Sequence, residues 1–187
     1  MNPHELEDLL LSFLILLLLF SNFEIKLMPF VAPAILTAFV FHELAHRWAA
    51  ERYGYRAFYK RWDTGIVIAL LLGLLTRALT GNAWIFAALG AVQIYAPYML
   101  ADREAFGKIA LAGPLTNIAV GVIALIGSQL VSGTVGQVLT LTASINLWLA
   151  FFNLWPIPPL DGYKVLRWSA GYWAISIGIA YSLNMLV

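Results

Sequence analysis

Long apolar runs separated by short polar segments are the dominant pattern along this chain. A helix needs about 20 apolar residues to cross a bilayer, and runs of about 17–25 residues are candidate spans. The chain has six such runs, at Glu7–Phe23, Pro29–Tyr53, Thr64–Thr80, Gly107–Val131, Gln137–Trp155 and Gly171–Val187. The pattern therefore predicts an all-α polytopic membrane protein with about six transmembrane helices.

One apolar segment does not fit a regular helix. The run AWIFAALGAVQIYAPYML, residues 83–100, is rich in aromatic and β-branched residues and contains Gly90 and Pro97. This composition favours a re-entrant or strand-like segment. Non-helical backbone at membrane depth is tolerated only where protein or a water-filled cavity covers it, so this segment would need such cover.

Composition also indicates a membrane protein. Hydrophobic residues make up 61% of the chain and charged residues 11%, against roughly 45–50% and 25% in soluble domains. No polar stretch is long enough for a separate soluble domain, so residues 1–187 are expected to form one domain. The acidic N-terminus does not resemble a secretory signal, so the first run is expected to be a helix. Without cysteine, a metal site must use histidine and carboxylate ligands.

The positive charges predict an orientation. If the loop after the second run is cytoplasmic, and residues 64–100 leave and return to the same side, nine of the 11 Lys and Arg residues face the cytoplasm. Only Lys26 and Arg77 do not. Cytoplasmic loops carry an excess of these residues. The charges thus favour a multi-pass protein of the cell membrane in which residues 64–100 make an even number of crossings.

The most unusual polar residues lie in the second run, in TAFVFHELAHRWAAERYG, residues 37–54. His42 and His46 are four residues apart, so on a helix they project from one face and can hold one zinc ion. Glu43 has the position of the general base of H-E-x-x-H sites, which takes a proton from the zinc-bound water and passes it to the leaving amine. The spacing predicts one Zn²⁺ per chain and a hydrolytic site.

A structural interpretation of this pair competes with the catalytic one. Two histidines at this spacing also occur by chance or in a polar cluster. Ionisable side chains inside a membrane cost about 2.5–3.5 kcal/mol each and usually mark function. Two of the three histidines in the chain lie in this pattern, and the third, His4, lies in the polar N-terminal segment and is assigned no role. The catalytic interpretation is favoured.

A catalytic zinc site takes three protein ligands and one open position, so the third ligand must be a carboxylate. Asp161 lies in FFNLWPIPPLDGYKVLRW, residues 151–168, where three prolines interrupt helical hydrogen bonding and Gly162 permits an unusual turn. The predicted topology puts it at the depth of the histidines, unlike the other carboxylates. A plain helix end followed by a loop also explains this stretch, but the depth favours Asp161 as the third ligand.

HELAH at residues 42–46 and NLWPIPPLDG at residues 153–162 together resemble the motifs of the site-2 protease family of intramembrane zinc metalloproteases. The resemblance covers about residues 31–168. It implies that His42, His46 and Asp161 bind zinc and that Glu43 is the general base and acid. It also implies that the substrate is a transmembrane helix, cut by a site nearer the cytosolic side, which agrees with the charge pattern.

The same resemblance suggests further roles. Asn153 is similar to the family's motif asparagine, whose amide would donate to the oxyanion or hold substrate backbone, although an interhelical hydrogen bond is an equal alternative. Asn117, in LAGPLTN, is similar to the asparagine of the family's central helix, and packing or lining of the site is favoured over direct chemistry. Residues 86–97 correspond to the family's re-entrant β-hairpin, which offers a strand edge to an extended peptide; a short transmembrane helix is the alternative.

Three functions are consistent with these features. The leading one is an intramembrane metalloprotease of regulated intramembrane proteolysis, whose partners are transmembrane protein substrates and the lipid bilayer, and not nucleic acid. A metal or ion transporter would use the same ligands but has no need of Glu43 at that spacing. A noncatalytic membrane scaffold has no need of Glu43 either.

Overall fold

The computed structural model describes residues 1–84, 89–95 and 102–187, and these residues are mostly helical. In chain order the elements are α1 Pro3–Phe20, a 3₁₀ turn Ile25–Leu27, α2 Met28–Ile35, a π-helical turn Leu36–Phe41, α3 His42–Arg52, β1 Arg56–Arg61, α4 Asp63–Thr80, β2 Gly90–Tyr95, α5 Arg103–Leu130, α6 Gly133–Asn153, α7 Asp161–Trp168 and α8 Ala170–Asn184. The helices therefore follow the apolar runs of the sequence.

Four helices in the described part of the chain are long and apolar enough to cross a membrane. They are the continuous helix Ile25–Arg52, which contains α2 and α3, together with α4, α5 and α6. Each coincides with a predicted run to within a few residues. α5 begins earlier than its run because the Asp102 side chain accepts hydrogen bonds from the N–H groups of Glu104 and Ala105 and so caps the helix.

The first and last predicted spans form helices that fall outside this group. α1 has 18 residues but carries three acidic residues in its first two turns. α8 has 15 residues and packs beside only the last third of α6: Trp173 Nε1 donates to Leu154 O at 2.8 Å, and Asn184 Nδ2 donates to Leu147 O at 2.7 Å. The described residues thus establish four candidate spans, fewer than the six predicted.

The helix Ile25–Arg52 changes its winding just before the histidine pair. Pro33 lies inside α2, and the turn that follows, Leu36–Phe41, is π-helical. Thr37 Oγ1 donates back to the Pro33 carbonyl at 2.9 Å. A π-helical turn holds more residues than an α-helical one, so it changes the face on which the following residues lie, and such turns are frequent at functional sites.

α5 is the central helix of the bundle. It packs most extensively against α6 and also against α3, α7 and α8. The approach to α6 is close at Gly121, where an added Cβ would lie 2.6 Å from Leu147 Cγ. α5 therefore connects the helix of the histidine pair to the helix of Asp161.

A small antiparallel sheet closes one end of the bundle. β1 pairs with β2, so that Arg56 lies opposite Tyr95 and Arg61 lies opposite Gly90. The two strands flank α4 in the chain, so the chain leaves the sheet after Arg61 and is part of it again at Gly90. For the described residues up to Tyr95, this geometry agrees with the predicted return to the side on which the segment began.

The sheet contains part of the predicted hairpin. Residues 90–95 are strand-like as expected, and among the described residues their partner is β1, which precedes α4. Residues 86–88, 96 and 97 of that predicted hairpin lie outside the described residues. β1 was not predicted because its sequence, RAFYKR, reads as a basic loop, and only the distant β2 makes it a strand.

α1 covers the second edge of β1. The N–H of Tyr59 donates to Glu5 Oε1 at 3.2 Å, and the N–H of Arg61 donates to Asp8 Oδ2 at 3.3 Å. Ion pairs of 2.9 Å join Arg47 to Glu5 and Arg61 to Asp8. The edge of a sheet otherwise presents unpaired N–H groups, so the acidic start of α1 satisfies β1 and fixes α1 to this end of the bundle.

Glu5→Ala should lower the free energy of unfolding in detergent by about 1–3 kcal/mol, because it leaves the buried Tyr59 N–H without its acceptor. Chemical denaturation followed by tryptophan fluorescence measures the change. Glu7→Ala is the control, since this side chain is 70% exposed and its loss should cost less than about 0.5 kcal/mol. Equal effects of the two substitutions would contradict the role of Glu5 at the strand edge.

Candidate metal centre

Three predicted ligands converge beside the sheet. His46 Nε2 lies 2.9 Å from His42 Nε2 and 3.0 Å from Asp161 Oδ2, and His42 Nε2 lies 3.3 Å from the same oxygen. All three residues are buried. Ligand atoms of a tetrahedral zinc ion, each about 2.0–2.1 Å from the metal, lie about 3.3 Å from one another. The described residues that could hold a metal ion together are these three.

The hydrogen bonds of the two rings fix their tautomers. His46 Nδ1 lies 2.8 Å from the carbonyl oxygen of Ile109, which can only accept, so Nδ1 must carry the hydrogen. His42 Nδ1 donates to Asn117 Oδ1. In the neutral rings that ligate a metal, both Nε2 atoms then carry lone pairs, and these face each other and a carboxylate oxygen. A cation bound among them removes the repulsion, so the donor set fits a metal ion.

Asp161 reaches the site because the helix is broken before it. α6 ends at Asn153 and α7 begins at Asp161, on either side of the proline-rich segment, as the sequence predicted. Gly162 permits a close approach, since an added Cβ would lie 2.6 Å from the carbonyl oxygen of Trp155. The start of α7 thus packs closely against the end of α6. In this position Asp161 points toward α3.

Asp161 carries an ion pair on one of its oxygens. Burial raises the pKa of this carboxyl, and the neighbouring Lys164 ammonium lowers it. The Lys164 ammonium donates to Oδ1 at 3.2 Å, which leaves Oδ2 for the histidine side of the site. The third donor is therefore a carboxylate oxygen.

Gly113 of α5 leaves space at the same point. A Cβ added there would lie 2.7 Å from both Nε2 and Cε1 of His42, and closer still to Nε2 of His46. Any other residue would therefore contact the two nitrogen lone pairs. The absence of a side chain at position 113 keeps that side of the donor set open, which again fits a bound ion.

Glu43 lies next to the three donors with one free oxygen. Its Oε2 atom is buried and has no hydrogen-bond partner among the described residues. The main-chain amide of Val92 in β2 lies within hydrogen-bonding reach of the carboxylate. A buried oxygen without a partner is costly, and a water molecule held at the donor set would supply one. This is the position that a general base requires.

The remaining predicted residues occupy different positions. Asn117 is fully buried and contacts His42, which agrees with a role in lining the site. Asn153 is the half-buried last residue of α6, and its role at an oxyanion stays a prediction. His4 lies on α1 with an exposed ring, away from the donor set.

Three residues of the site were not singled out in the sequence. They are Thr37, Gly113 and Asn146. Asn146 had a signal, since an amide within a long apolar helix usually has an interhelical partner. Gly113 and Thr37 had no such signal, because small residues are common in membrane helices. Gly113 has a role only because the histidine rings face it, and Thr37 only because the Asn146 amide donates to it.

Comparisons with known proteins show the family of the chain. The sequence profile described as peptidase family M50 matches residues 121–176, which include Asp161 but not the histidine pair. A protein of Methanocaldococcus jannaschii named "Putative zinc metalloprotease MJ0611" is 39% identical over 99% of this chain and 96% of its own length. The chain belongs to peptidase family M50. YwhC of Bacillus subtilis, which bears the same description, is 26% identical over 79% of this M50 chain and 72% of its own length.

Family membership confirms the resemblance to site-2 proteases and the prediction of a metalloprotease. Zinc is the metal in the names of both relatives, and the donor set of this M50 protein suits it, since two imidazoles and one carboxylate leave a fourth position open. No solved structure matches the chain.

Gly113→Ala should abolish zinc binding, because the new methyl group would occupy the space in front of both Nε2 atoms. Zinc content of the detergent-purified protein, measured by atomic emission, gives the result. Gly178→Ala is the control, since a Cβ at this position in α8 would meet nothing within 4 Å, and it should retain one zinc per chain. Full zinc occupancy in Gly113→Ala would show that the metal does not lie where the three donors converge.

Proposed function

We propose that this M50 protein is an intramembrane zinc metalloprotease that hydrolyses peptide bonds of transmembrane helical substrates, in regulated intramembrane proteolysis. One observation carries the proposal: Glu43 presents a buried, unpaired carboxylate oxygen beside the converging donor atoms of His42, His46 and Asp161. These donors lie in a bundle with four apolar helices long enough to cross a membrane. A base thus lies beside the donor atoms in a bundle whose surface suits lipid.

The residues of the chain divide the chemistry among them. When bound, a zinc ion lowers the pKa of a coordinated water to about 7 and polarises a carbonyl group. Glu43 accepts the proton of the attacking water and delivers it to the leaving amine nitrogen. The amide of Asn153 is proposed to donate to the oxygen of the scissile carbonyl as negative charge develops there, a contribution that can reach about 2.7–4 kcal/mol.

The sheet supports binding of the substrate in an extended form. In an antiparallel pair, opposite residues alternately exchange hydrogen bonds or point their peptide groups outward. The N–H of Tyr59 points outward to Glu5, so the peptide group of its partner Val92 points outward as well, away from β1. The outer edge of β1 is occupied by α1. Among the described residues no strand pairs with the outer edge of β2, where the N–H of Val92 meets the Glu43 carboxylate.

This edge lies next to the proposed base. The N–H of Val92 reaches the Glu43 carboxylate, so a peptide paired with β2 would run past Glu43 and the donor atoms. Main-chain pairing of this kind binds a peptide by its backbone. A helical peptide cannot pair in this way until it unwinds, so substrates should contain helix-weakening residues near the cut.

We further propose about six transmembrane helices, with the site nearer the cytoplasm. α1 runs from the sheet, where Glu5 and Asp8 are paired with arginines, to the far end of α4, where Asn22 Nδ2 donates to Gly81 O at 3.0 Å. Its acidic residues therefore lie at the sheet end and leave an apolar remainder. α8 would supply the sixth span. Most of the basic residues lie at the same end of the bundle as the sheet, which supports a cytoplasmic position for that end.

A transporter lacks comparable support. Ion pathways use several ionisable groups along the spans, whereas the described residues form one group that could hold a metal ion. That group is completed by Glu43, which passage of an ion does not require. A noncatalytic scaffold does not account for the free oxygen of Glu43 either.

Glu43→Gln should abolish cleavage while the protein keeps one zinc per chain, because the amide preserves the shape of the side chain but accepts no proton. The assay uses proteoliposomes with model transmembrane segments that differ only in a central Gly-Pro or Leu-Leu pair. The wild type should cut the Gly-Pro segment faster, by at least about tenfold. Asp161→Ala should lose both zinc and cleavage. Cleavage by Glu43→Gln, or none by the zinc-loaded wild type, would refute the proposal.

The orientation can be measured because the chain has no cysteine. Lys60→Cys at the sheet and Ser132→Cys between α5 and α6 place single thiols at exposed positions at opposite ends of the bundle. In intact cells, a membrane-impermeant maleimide should label the second variant and not the first, and in inverted vesicles the reverse. The opposite pattern would place the site on the outer side.

A further inference from the structure

A chain of buried amide and hydroxyl groups runs from the π-helical turn to the metal centre. Asn117 of α5 and Asn146 of α6 are both fully buried, with 0% exposure. Asn117 Nδ2 donates to Ala38 O at 2.9 Å and to Asn146 Oδ1 at 3.1 Å. Asn146 Nδ2 donates to Thr37 Oγ1 at 2.9 Å and to Thr142 O at 2.8 Å. The chain ends where Asn117 Oδ1 meets the ring of His42.

The direction of these hydrogen bonds is fixed by the backbone. The carbonyls of Ala38 and Thr142 can only accept, so the atoms that face them must be the amide nitrogens of Asn117 and Asn146. The oxygen of Asn117 is then the atom that faces His42. Because this oxygen only accepts, Nδ1 of His42 must carry a hydrogen, and in the neutral ring Nε2 then carries the lone pair.

Neither asparagine amide can flip without losing hydrogen bonds. A flipped Asn117 amide would place its oxygen against the Ala38 carbonyl and its NH₂ group against Nδ1–H of His42. All four amide hydrogens of the two asparagines already have acceptors. A buried polar group left without a partner costs about 1–3 kcal/mol, so the observed orientation is strongly preferred over the flipped one.

The same two amides also hold the backbone that precedes His42. Asn117 binds the carbonyl of Ala38, and Asn146 binds the hydroxyl of Thr37, both within the π-helical turn. The ring of His42 and the turn that aims it are therefore fastened to α5 and α6 by one network. His46 differs, since its Nδ1 is held directly by the carbonyl of Ile109.

We infer that Asn117, oriented by Asn146, is the positioning residue of the metal centre: it sets the tautomer and the ring direction of His42 and thereby raises the zinc affinity of the site. Neither asparagine touches the metal or the substrate in this assignment. The inference rests on the proposed function for the identity of the metal, but its structural part concerns the metal-free ring. Removal of a group that orients a ligand usually lowers metal affinity by about 10–100-fold.

The first experiment measures zinc affinity by competition with a chromophoric chelator. Asn117→Leu removes the acceptor and should weaken binding by about 10–100-fold. Asn117→Asp keeps an acceptor for Nδ1–H, so its zinc affinity should stay within about threefold of the wild-type value. Asn184→Leu is the matched control, since Asn184 also donates two amide hydrogen bonds to carbonyls, those of Leu147 and Ala180, but away from the metal centre. It should leave the affinity unchanged.

The second experiment needs no variant and therefore does not depend on the folding of Asn117→Leu. The chain contains three histidines, so long-range ¹H–¹⁵N NMR of the metal-free wild type can resolve each ring, with exposed His4 as the reference. His42 and His46 should both carry hydrogen on Nδ1. A His42 ring without hydrogen on Nδ1 would overturn the inference.

The outcomes separate this inference from the proposed function. Wild-type affinity in Asn117→Leu, or equal losses in Asn117→Leu and Asn117→Asp, would overturn the inference and leave a zinc protease intact, provided that Asp161→Ala still loses zinc. A wild type that binds no zinc would overturn the proposed function, whereas the NMR result would still decide the tautomer of His42.

Discussion

The structure depends on three electron-rich atoms that are held together inside an apolar bundle. Two imidazole nitrogens and one carboxylate oxygen lie within 3.3 Å of one another, and Ile109 and Asn117 hold the Nδ1 hydrogens on the far side of both rings. A cation bound among the three atoms stabilises this arrangement. The broken helix before Asp161 and the missing side chain of Gly113 both have the effect of bringing these atoms together and keeping the space between them clear.

The cost of these polar groups is limited by where they lie. The sheet, the acidic start of α1 and most basic residues surround the metal centre at one end of the bundle, so the charged groups there find partners such as the Arg47–Glu5 pair. Deeper in the described part of the bundle the buried polar groups are neutral, and the amides of Asn117 and Asn146 satisfy one another and the backbone. The buried carboxylates that the structure describes, Glu5 and Asp161, thus lie at one end, and neutral hydrogen-bonding groups extend into the apolar region.

Much of the fold and of the candidate site could be predicted from local sequence patterns. The four candidate spans follow from apolar runs, and the His42–His46 pair follows from helical spacing, because both depend on residues close in sequence. Asp161 could be proposed because prolines mark a broken helix. The pairing of β1 with β2 joins segments on either side of α4, and the partners of Asn146 lie on other helices, so neither could be predicted from local pattern. α1 and α8 fall outside the four candidate spans because run length alone ignores the acidic residues of α1 and the 15-residue length of α8.

The two edges of the sheet explain why an acidic helix end is useful here. If both edges were free, an extended peptide could pair on either, and only pairing with β2 would carry it past Glu43. The carboxylates of Glu5 and Asp8 occupy the N–H groups of β1 and so remove the unproductive choice. On the remaining edge, the amide of Val92 faces Glu43. A substrate carbonyl that took this N–H would free the carboxylate just as it becomes the proton acceptor, so in the proposed enzyme binding on β2 and activation of the base are coupled through one peptide group.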